Sequence, residues 1–137
     1  MISFIEKNNW IFWIITLVIA IGIFYVSSVE FSSGAGGPKN INAILYHLIA
    51  FFFFAFFLLI SLTARKNKDL LILGIIISIL YGISDEIHQL YVPGRYFAFG
   101  DILLDSVGIL FASLIYTLIF QTKMVKLKRD NFLLRGK

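Results

Sequence analysis

Apolar residues in this chain collect into four long runs that are separated by short polar segments. The runs cover about residues 10–27, 41–63, 69–91 and 99–122. Each is close to the roughly 20 residues that an α-helix needs to cross a hydrocarbon core about 30 Å thick. The pattern predicts an all-α membrane protein built as a bundle of four transmembrane helices. We expect one membrane domain over residues 1–122, followed by a basic tail over residues 123–137.

The segments between the runs are rich in residues that end helices. Residues 28–40 form a Gly- and Ser-rich connector, and Pro93-Gly94 closes the third run. The small residues at 33–37 also resemble a processing site, so a signal peptide is an alternative for the first run. That run is longer than the roughly 7–15 residue apolar core of a signal peptide, and it opens with Trp10 and Trp13, which fit a membrane interface. A retained helix is favoured.

Composition supports a membrane protein and excludes several kinds of site. Of the 137 residues, 59% are hydrophobic and 15% are charged, and the mean hydropathy is +0.89, which is not typical of a soluble domain. The chain has no cysteine, which excludes disulfides, thiolate metal ligands and cysteine nucleophiles.

The basic residues are distributed unevenly between alternate connectors. Ten of the 12 Lys and Arg residues lie in the N-terminal segment, in loop 64–68 and in the tail, whereas the other connectors hold only Lys39 and Arg95. The positive-inside rule then predicts that both termini are cytoplasmic and that connectors 28–40 and 92–98 face outward. The net charge of +4 is therefore explained by topology in a multi-pass plasma-membrane protein, and no nucleic-acid partner is expected.

Polar residues gather at the predicted outward ends of three helices. His47, Asp85 and Asp105 each lie six residues from the outward end of their run. At 1.5 Å of rise per residue, each is about 9 Å below the outer membrane surface. Three helices thus bring ionisable groups to one level, where such groups are costly and usually functional.

Spacing within the third helix predicts which of its polar side chains share a face. Asp85, His88 and Gln89 are three and four residues apart, so they line one stripe. Glu86 points about 100° away from Asp85, toward a different neighbour or the headgroups.

The start of the fourth helix continues the polar region. Asp101 and Asp105 are four residues apart, and Gly108 would let a neighbouring helix approach closely. Arg95 and Asp101 flank the outer rim from the short connector.

These residue types suit acid–base chemistry and the binding of an oxyanion. A histidine beside carboxylates can transfer protons, and an arginine can hold a phosphate or carboxylate. A divalent cation is also chemically possible, but the usual two-histidine motif is missing, so we assign no metal ligand and identify no cofactor. The candidate catalytic residues are His47, Asp85, Glu86, His88 and Asp105, and the candidate substrate-binding residues are Gln89, Arg95 and Asp101.

Two other classes of function stay open. The polar cluster can be a structural lock in a non-catalytic membrane scaffold, because interior polar groups also join helices. It can also belong to an ion or proton transporter, although the cytoplasmic halves of the runs offer few polar groups to continue a path.

Three segments of the chain, together with His47 in Tyr46-His47-Leu48, form a combination of motifs that is specific to one protein family. They are Ser84-Asp85-Glu86-Ile87-His88-Gln89, Tyr91-Val92-Pro93-Gly94-Arg95 and Asp101-Ile102-Leu103-Leu104-Asp105 with Gly108. In order and spacing, over about residues 25–112, the chain resembles the VanZ-like integral membrane proteins. This chain has Ile44 where members often have Lys, and Asp105 where they often have Asn, which adds negative charge to the site.

The resemblance implies a setting at the cell envelope. The family is named for a member associated with resistance to glycopeptide (teicoplanin-type) antibiotics, and the resemblance implies no particular reaction. Besides the lipid bilayer, we therefore expect an anionic lipid or a lipid-linked envelope precursor as the partner. In this hypothesis, His47, Asp85 and His88 handle protons in an outer-leaflet pocket, and Arg95 holds the anionic group.

Overall fold

The computed structural model describes residues 2–29, 41–63 and 69–121 of the chain. A short helix, α1 (Ile2–Lys7), precedes the four long helices α2 (Asn9–Ser27), α3 (Ile41–Thr63), α4 (Asp69–Gln89) and α5 (Phe99–Tyr116), and α5 continues as a π-helical turn (Thr117–Gln121). The four long helices are each long and apolar enough to cross a membrane, and the described residues contain no strand. The predicted all-α architecture is confirmed. The predictions for residues 30–40, 64–68 and 122–137 fall outside the described residues.

Helix α3 lies at the centre of the bundle and packs against α2, α4 and α5, most extensively against α5. Fully buried side chains at these contacts include Phe51 and Ala55 of α3 and Ile109 and Ala112 of α5. Large apolar side chains also cover the outer surface of the long helices. Because lipid tails are as apolar as these side chains, close packing and interhelical hydrogen bonds hold such helices together rather than the hydrophobic effect.

Gly108 marks the closest approach between α3 and α5. A Cβ at this position would lie 2.5 Å from the Leu48 carbonyl oxygen and 3.2 Å from the Phe52 backbone nitrogen. These distances leave no room for a side chain, so the expected close approach at Gly108 is confirmed.

Consecutive long helices run in opposite directions, which gives the bundle two different ends. At one end, the Asn9 amide donates to the Ser61 carbonyl at 3.0 Å, and the Thr16 and Ser61 hydroxyls are 3.4 Å apart. The Thr63 and Tyr116 hydroxyls also form a hydrogen bond there. At the other end, here called the polar end, α2 and α4 finish and α3 and α5 begin. The candidate site residues lie at the polar end.

The connector from α4 to α5 begins earlier than the apolar run suggests. Helix α4 ends at Gln89, whereas the run continues to Tyr91. The Val92 N–H bonds to the Gln89 carbonyl at 3.1 Å, which tightens the chain into a turn, and Gly94 then adopts a φ of 78°. The cause is Pro93, which cannot continue a helix, followed by a glycine that tolerates positive φ.

Candidate functional site

The side chain of His47 lies between two aspartates of α5. Its Nδ1 is 2.9 Å from Asp105 Oδ1, and its Nε2 is 3.8 Å from Asp101 Oδ2. His47 and Asp105 are 4% and 1% exposed, and Asp101 is partly exposed in the first turn of α5. An ionised carboxylate only accepts hydrogen bonds, so it is the His47 Nδ1–H that donates to Asp105. The contact brings His47 and Asp105 together at the polar end of the bundle, and their depth in the membrane stays a prediction.

Glu86 is fully buried and connects α4 to the start of α5. Its Oε2 accepts a 2.9 Å hydrogen bond from the Ala98 backbone N–H, and its Oε1 accepts one of 3.1 Å from the Gln89 amide. Ala98 is the N-cap of α5, where backbone N–H groups lack helical partners and favour negative charge. Glu86 was expected to face either a different neighbour or the headgroups. In the structure it faces a neighbouring segment, the start of α5.

Asp85 and Gln89 form the part of the site that faces α2. Asp85 Oδ2 accepts hydrogen bonds from the Ser27 hydroxyl at 2.8 Å and from Gln89 Nε2 at 3.0 Å. Because Gln89 also donates to Glu86, it joins the Asp85 and Glu86 carboxylates in one network. All of these side chains are buried.

Arg95 lies over the end of α2. Its NH2 and Nε groups donate to the carbonyl oxygens of Val26 at 2.7 Å and Val29 at 3.3 Å, and NH1 is 3.5 Å from Gln89 Oε1. The arginine therefore stabilises the C-terminal end of α2 and places positive charge beside Gln89.

His88 points away from His47 and contacts α2. Its Nε2 is 2.9 Å from the Ser28 hydroxyl, and its ring stacks on Phe24 with centroids 4.4 Å apart. His88 is partly exposed. The predicted stripe of Asp85 and His88 does exist, and both residues face α2. The structure therefore places the two histidines in different parts of the site.

Sequence reasoning did not single out two residues that the structure adds to the site. Ser27, in the last turn of α2, is 1% exposed and bonds to Asp85. The Tyr46 hydroxyl is buried, has no hydrogen-bond partner among the described residues, and lies within electrostatic reach of Asp85 and Arg95. In the sequence, the one sign that Tyr46 belongs to the site is its position directly before His47. Spacing along one helix does not indicate which residues of other helices a side chain contacts.

A family model described as VanZ/LLP1 matches residues 9–121 of the 137-residue chain. The chain belongs to the VanZ/LLP1 family. The matched region contains α2 to α5 and every residue of the polar end described above, so the expected kinship with VanZ-like membrane proteins is confirmed. Comparisons with curated proteins and with solved structures found no match.

Among the described residues at the polar end of this VanZ/LLP1-family bundle, carboxyl groups outnumber Lys and Arg residues. Four of them, Asp85, Glu86, Asp101 and Asp105, lie there with Arg95, which is the one Lys or Arg that the structure describes at this end. In addition, Asp105 Oδ2 is buried and has no hydrogen-bond partner among the described residues. Buried carboxylates are costly unless protons or cations offset their charge. The site is thus chemically suited to hold protons or a cation.

An apolar groove of about 420 Å³ lies between α3 and α5. Its lining begins one residue after His47, and its α5 wall begins two residues after Asp105. The lining residues are Leu48, Ile49, Phe52, Phe53, Val107, Gly108 and Phe111. The VanZ/LLP1-family bundle therefore combines a buried acid–base group with an adjoining apolar surface.

Proposed function

We propose that this VanZ/LLP1-family protein binds an anionic lipid-linked component of the cell envelope at its polar end and acts on that component through His47. The observation that carries the proposal is the buried pair of His47 and Asp105 beside Asp101, in the first turns of α3 and α5 at the polar end. A neutral histidine with one nitrogen held by a carboxylate keeps its other nitrogen available as a base. The pair is therefore oriented for proton transfer to or from a bound headgroup.

The apolar groove between α3 and α5 supports a lipid as the ligand. Its lining contains Leu48 and Gly108, which neighbour the His47 and Asp105 pair in sequence. A lipid chain lying in the groove would extend its polar end toward this pair. Lipid-binding sites combine apolar walls with a few fixed polar groups in this way.

Arg95 and Gln89 supply the polar contacts for the headgroup in this proposal. The four carboxyl groups at this end repel an anion, so an anionic headgroup needs a positive group to bind there. Arg95 is the one Lys or Arg that the structure describes at this end, and the headgroup therefore binds beside its guanidinium. Gln89 is held by Asp85 and Glu86, and it lies next to NH1 of Arg95. In the proposal, Asp85 positions Gln89 and ties it to α2, and His88 stays outside the reacting group.

Native mass spectrometry of the purified protein tests the lipid specificity. With phosphatidylglycerol and phosphatidylcholine added in equal amounts, we expect the protein to retain phosphatidylglycerol. Arg95→Gln should lower this retention about tenfold, the effect of losing one hydrogen bond to a charged group. Lys7→Gln removes the same charge from an exposed residue near the opposite end of the bundle, so it should retain the lipid. Equal retention by the two variants, or no preference between the lipids, overturns the proposed binding.

A second comparison tests the role of His47 in a reaction. Lipids that co-purify from cells are identified with the wild-type protein and with His47→Gln. If His47 acts on the bound lipid, the variant accumulates the unprocessed lipid, and the two proteins carry different masses. Identical masses show binding without processing and contradict the catalytic part of the proposal.

The outer-leaflet location is tested by cysteine labelling, which is clean because the chain has no native cysteine. Tyr96 in the α4–α5 connector is 67% exposed, and Lys7 lies near the opposite end. We expect a membrane-impermeant maleimide to label Tyr96→Cys in intact cells and Lys7→Cys only after lysis. The reverse pattern would place the site at the cytoplasmic leaflet.

A further inference from the structure

We propose that His47, Glu86 and Asp101 bind a divalent transition-metal cation, such as Mn²⁺ or Zn²⁺, inside the membrane. Each residue comes from a different helix and offers one ligand atom, and these three atoms lie within 4.8 Å of one another. The proposal deepens the function proposed above by naming a cofactor for the same site. With the ion bound, His47 Nε2 is a ligand, and His47 would act on the headgroup through the ion instead of as a free base.

The first argument is the orientation of the His47 ring. Asp105 Oδ1, at 2.9 Å, accepts from Nδ1–H, and this leaves the Nε2 lone pair pointing toward Asp101. Nε2 and Asp101 Oδ2 are 3.8 Å apart, and both atoms are acceptors in these states. A divalent cation placed between Nε2 and Oδ2 would bind both atoms. A carboxylate that holds one histidine nitrogen while the other binds a metal is a recurring feature of metal sites.

The second argument is the negative charge that is buried around His47. Asp105 is 1% exposed, and its Oδ2 has no hydrogen-bond partner among the described residues. The charges of Glu86 and Asp101 act on the same histidine. A bound divalent cation offsets this negative charge, and it also gives an anionic headgroup something to bind beside the carboxylates.

The donor atoms select the kind of ion. One imidazole and two carboxylates suit Mn²⁺ or Zn²⁺, whereas Ca²⁺ and Mg²⁺ prefer oxygen ligands alone. Two ligands of a tetrahedral zinc ion with bonds of about 2.1 Å are about 3.4 Å apart. The three ligand atoms lie within 4.8 Å of one another, so ion binding requires the ligands to move inward by up to about 1.4 Å.

Metal binding to the full-length protein in detergent tests the inference. Protein stripped with a chelator is titrated with Mn²⁺ and, separately, with Zn²⁺. We expect one ion per chain, with nitrogen coupling from His47 visible in the pulsed electron paramagnetic resonance spectrum of bound Mn²⁺. His47→Gln should abolish this coupling, and Asp105→Asn should weaken binding about 10- to 100-fold because it removes the orienting carboxylate. His88→Gln is the matched control and should keep both coupling and affinity.

Helix content and monodispersity are recorded for every variant. If His47→Gln fails to fold, Asp101→Asn tests the inference in its place and should weaken metal binding. The Asp101 side chain is 22% exposed, so its replacement leaves the buried pair of His47 and Asp105 intact. A wild-type protein that binds neither ion more tightly than a folded His47→Gln or Asp101→Asn variant overturns the inference, and so does loss of binding in His88→Gln. Lipid retention without metal binding would contradict this inference alone, and metal binding without lipid retention would contradict the proposed function alone.

Discussion

The close approach of α3 and α5 leads to a quantitative prediction for Gly108→Ala. The added Cβ would lie 2.5 Å from the Leu48 carbonyl oxygen. Carbon–oxygen contacts between helices are normally about 3.3–3.6 Å, so the two backbones must separate locally by about 0.8–1.1 Å. The obstructing atoms belong to the backbone, and no side-chain rotation relieves the contact. Overpacking of this kind costs about 1–3 kcal/mol of unfolding free energy.

The same displacement reaches the candidate site. Leu48 follows His47, and Gly108 lies one helical turn after Asp105. If the 2.9 Å contact between His47 and Asp105 lengthens by the same amount, it exceeds the range of a hydrogen bond, which ends at about 3.5 Å. We therefore expect Gly108→Ala to weaken Mn²⁺ binding together with stability.

Unfolding by SDS in mixed micelles, followed by circular dichroism, measures the effect. Gly22→Ala is the matched control, because a Cβ at Gly22 meets nothing within 4 Å. Both changes gain the same helix propensity, about 1 kcal/mol, so the difference between the variants reports the steric contact. Equal stability of Gly108→Ala and Gly22→Ala would refute the reasoning, and so would lower stability with an intact Mn²⁺ site.

Three further variants test the packing of the bundle by the same unfolding assay. Ile109→Ala should cost about 1–3 kcal/mol, less than in an aqueous core because the lipid also solvates isoleucine, while Leu110→Ala, which changes a 56% exposed side chain, should be near neutral. Equal losses would contradict the assignment of these two faces. Tyr116→Phe removes the hydroxyl that bonds to Thr63 and should cost about 0.6 kcal/mol, and an unchanged stability would show that this bond contributes nothing.

The helices and the grouping of His47 with Asp105 could be predicted from the sequence because both depend on fixed local geometry. Run length sets the number of long helices. The rise per residue puts His47 and Asp105 equally far from the starts of their helices, and the structure brings the two side chains into contact. The periodicity of the helix likewise predicted that Asp85 and His88 share a face. That face contacts α2 through Ser27 and Ser28.

The pairing of groups between helices could not be predicted in the same way. Each helix can rotate about its axis without changing the hydrophobic pattern, since lipid accepts any apolar face. The rotation is set by close contacts such as that of Gly108 with α3. A single glycine in the sequence does not indicate which helix it will contact. The sequence therefore groups His47 and His88 as proton-handling residues, although the structure places them in different parts of the site. For the same reason, the sequence leaves Glu86 facing either a different neighbour or the headgroups.

The bonds between α2 and the other helices also determine an order of assembly. Helix α2 buries three side chains, Thr16, Ile23 and Ser27, so its attachment depends largely on polar partners. Thr16 meets Ser61, which is synthesised 45 residues later, whereas Ser27 meets Asp85, which is synthesised 58 residues later. During biosynthesis the bond of Thr16 can therefore form once α3 is complete, whereas the bond of Ser27 requires α4 as well. The polar end is completed only when the last two helices have been inserted.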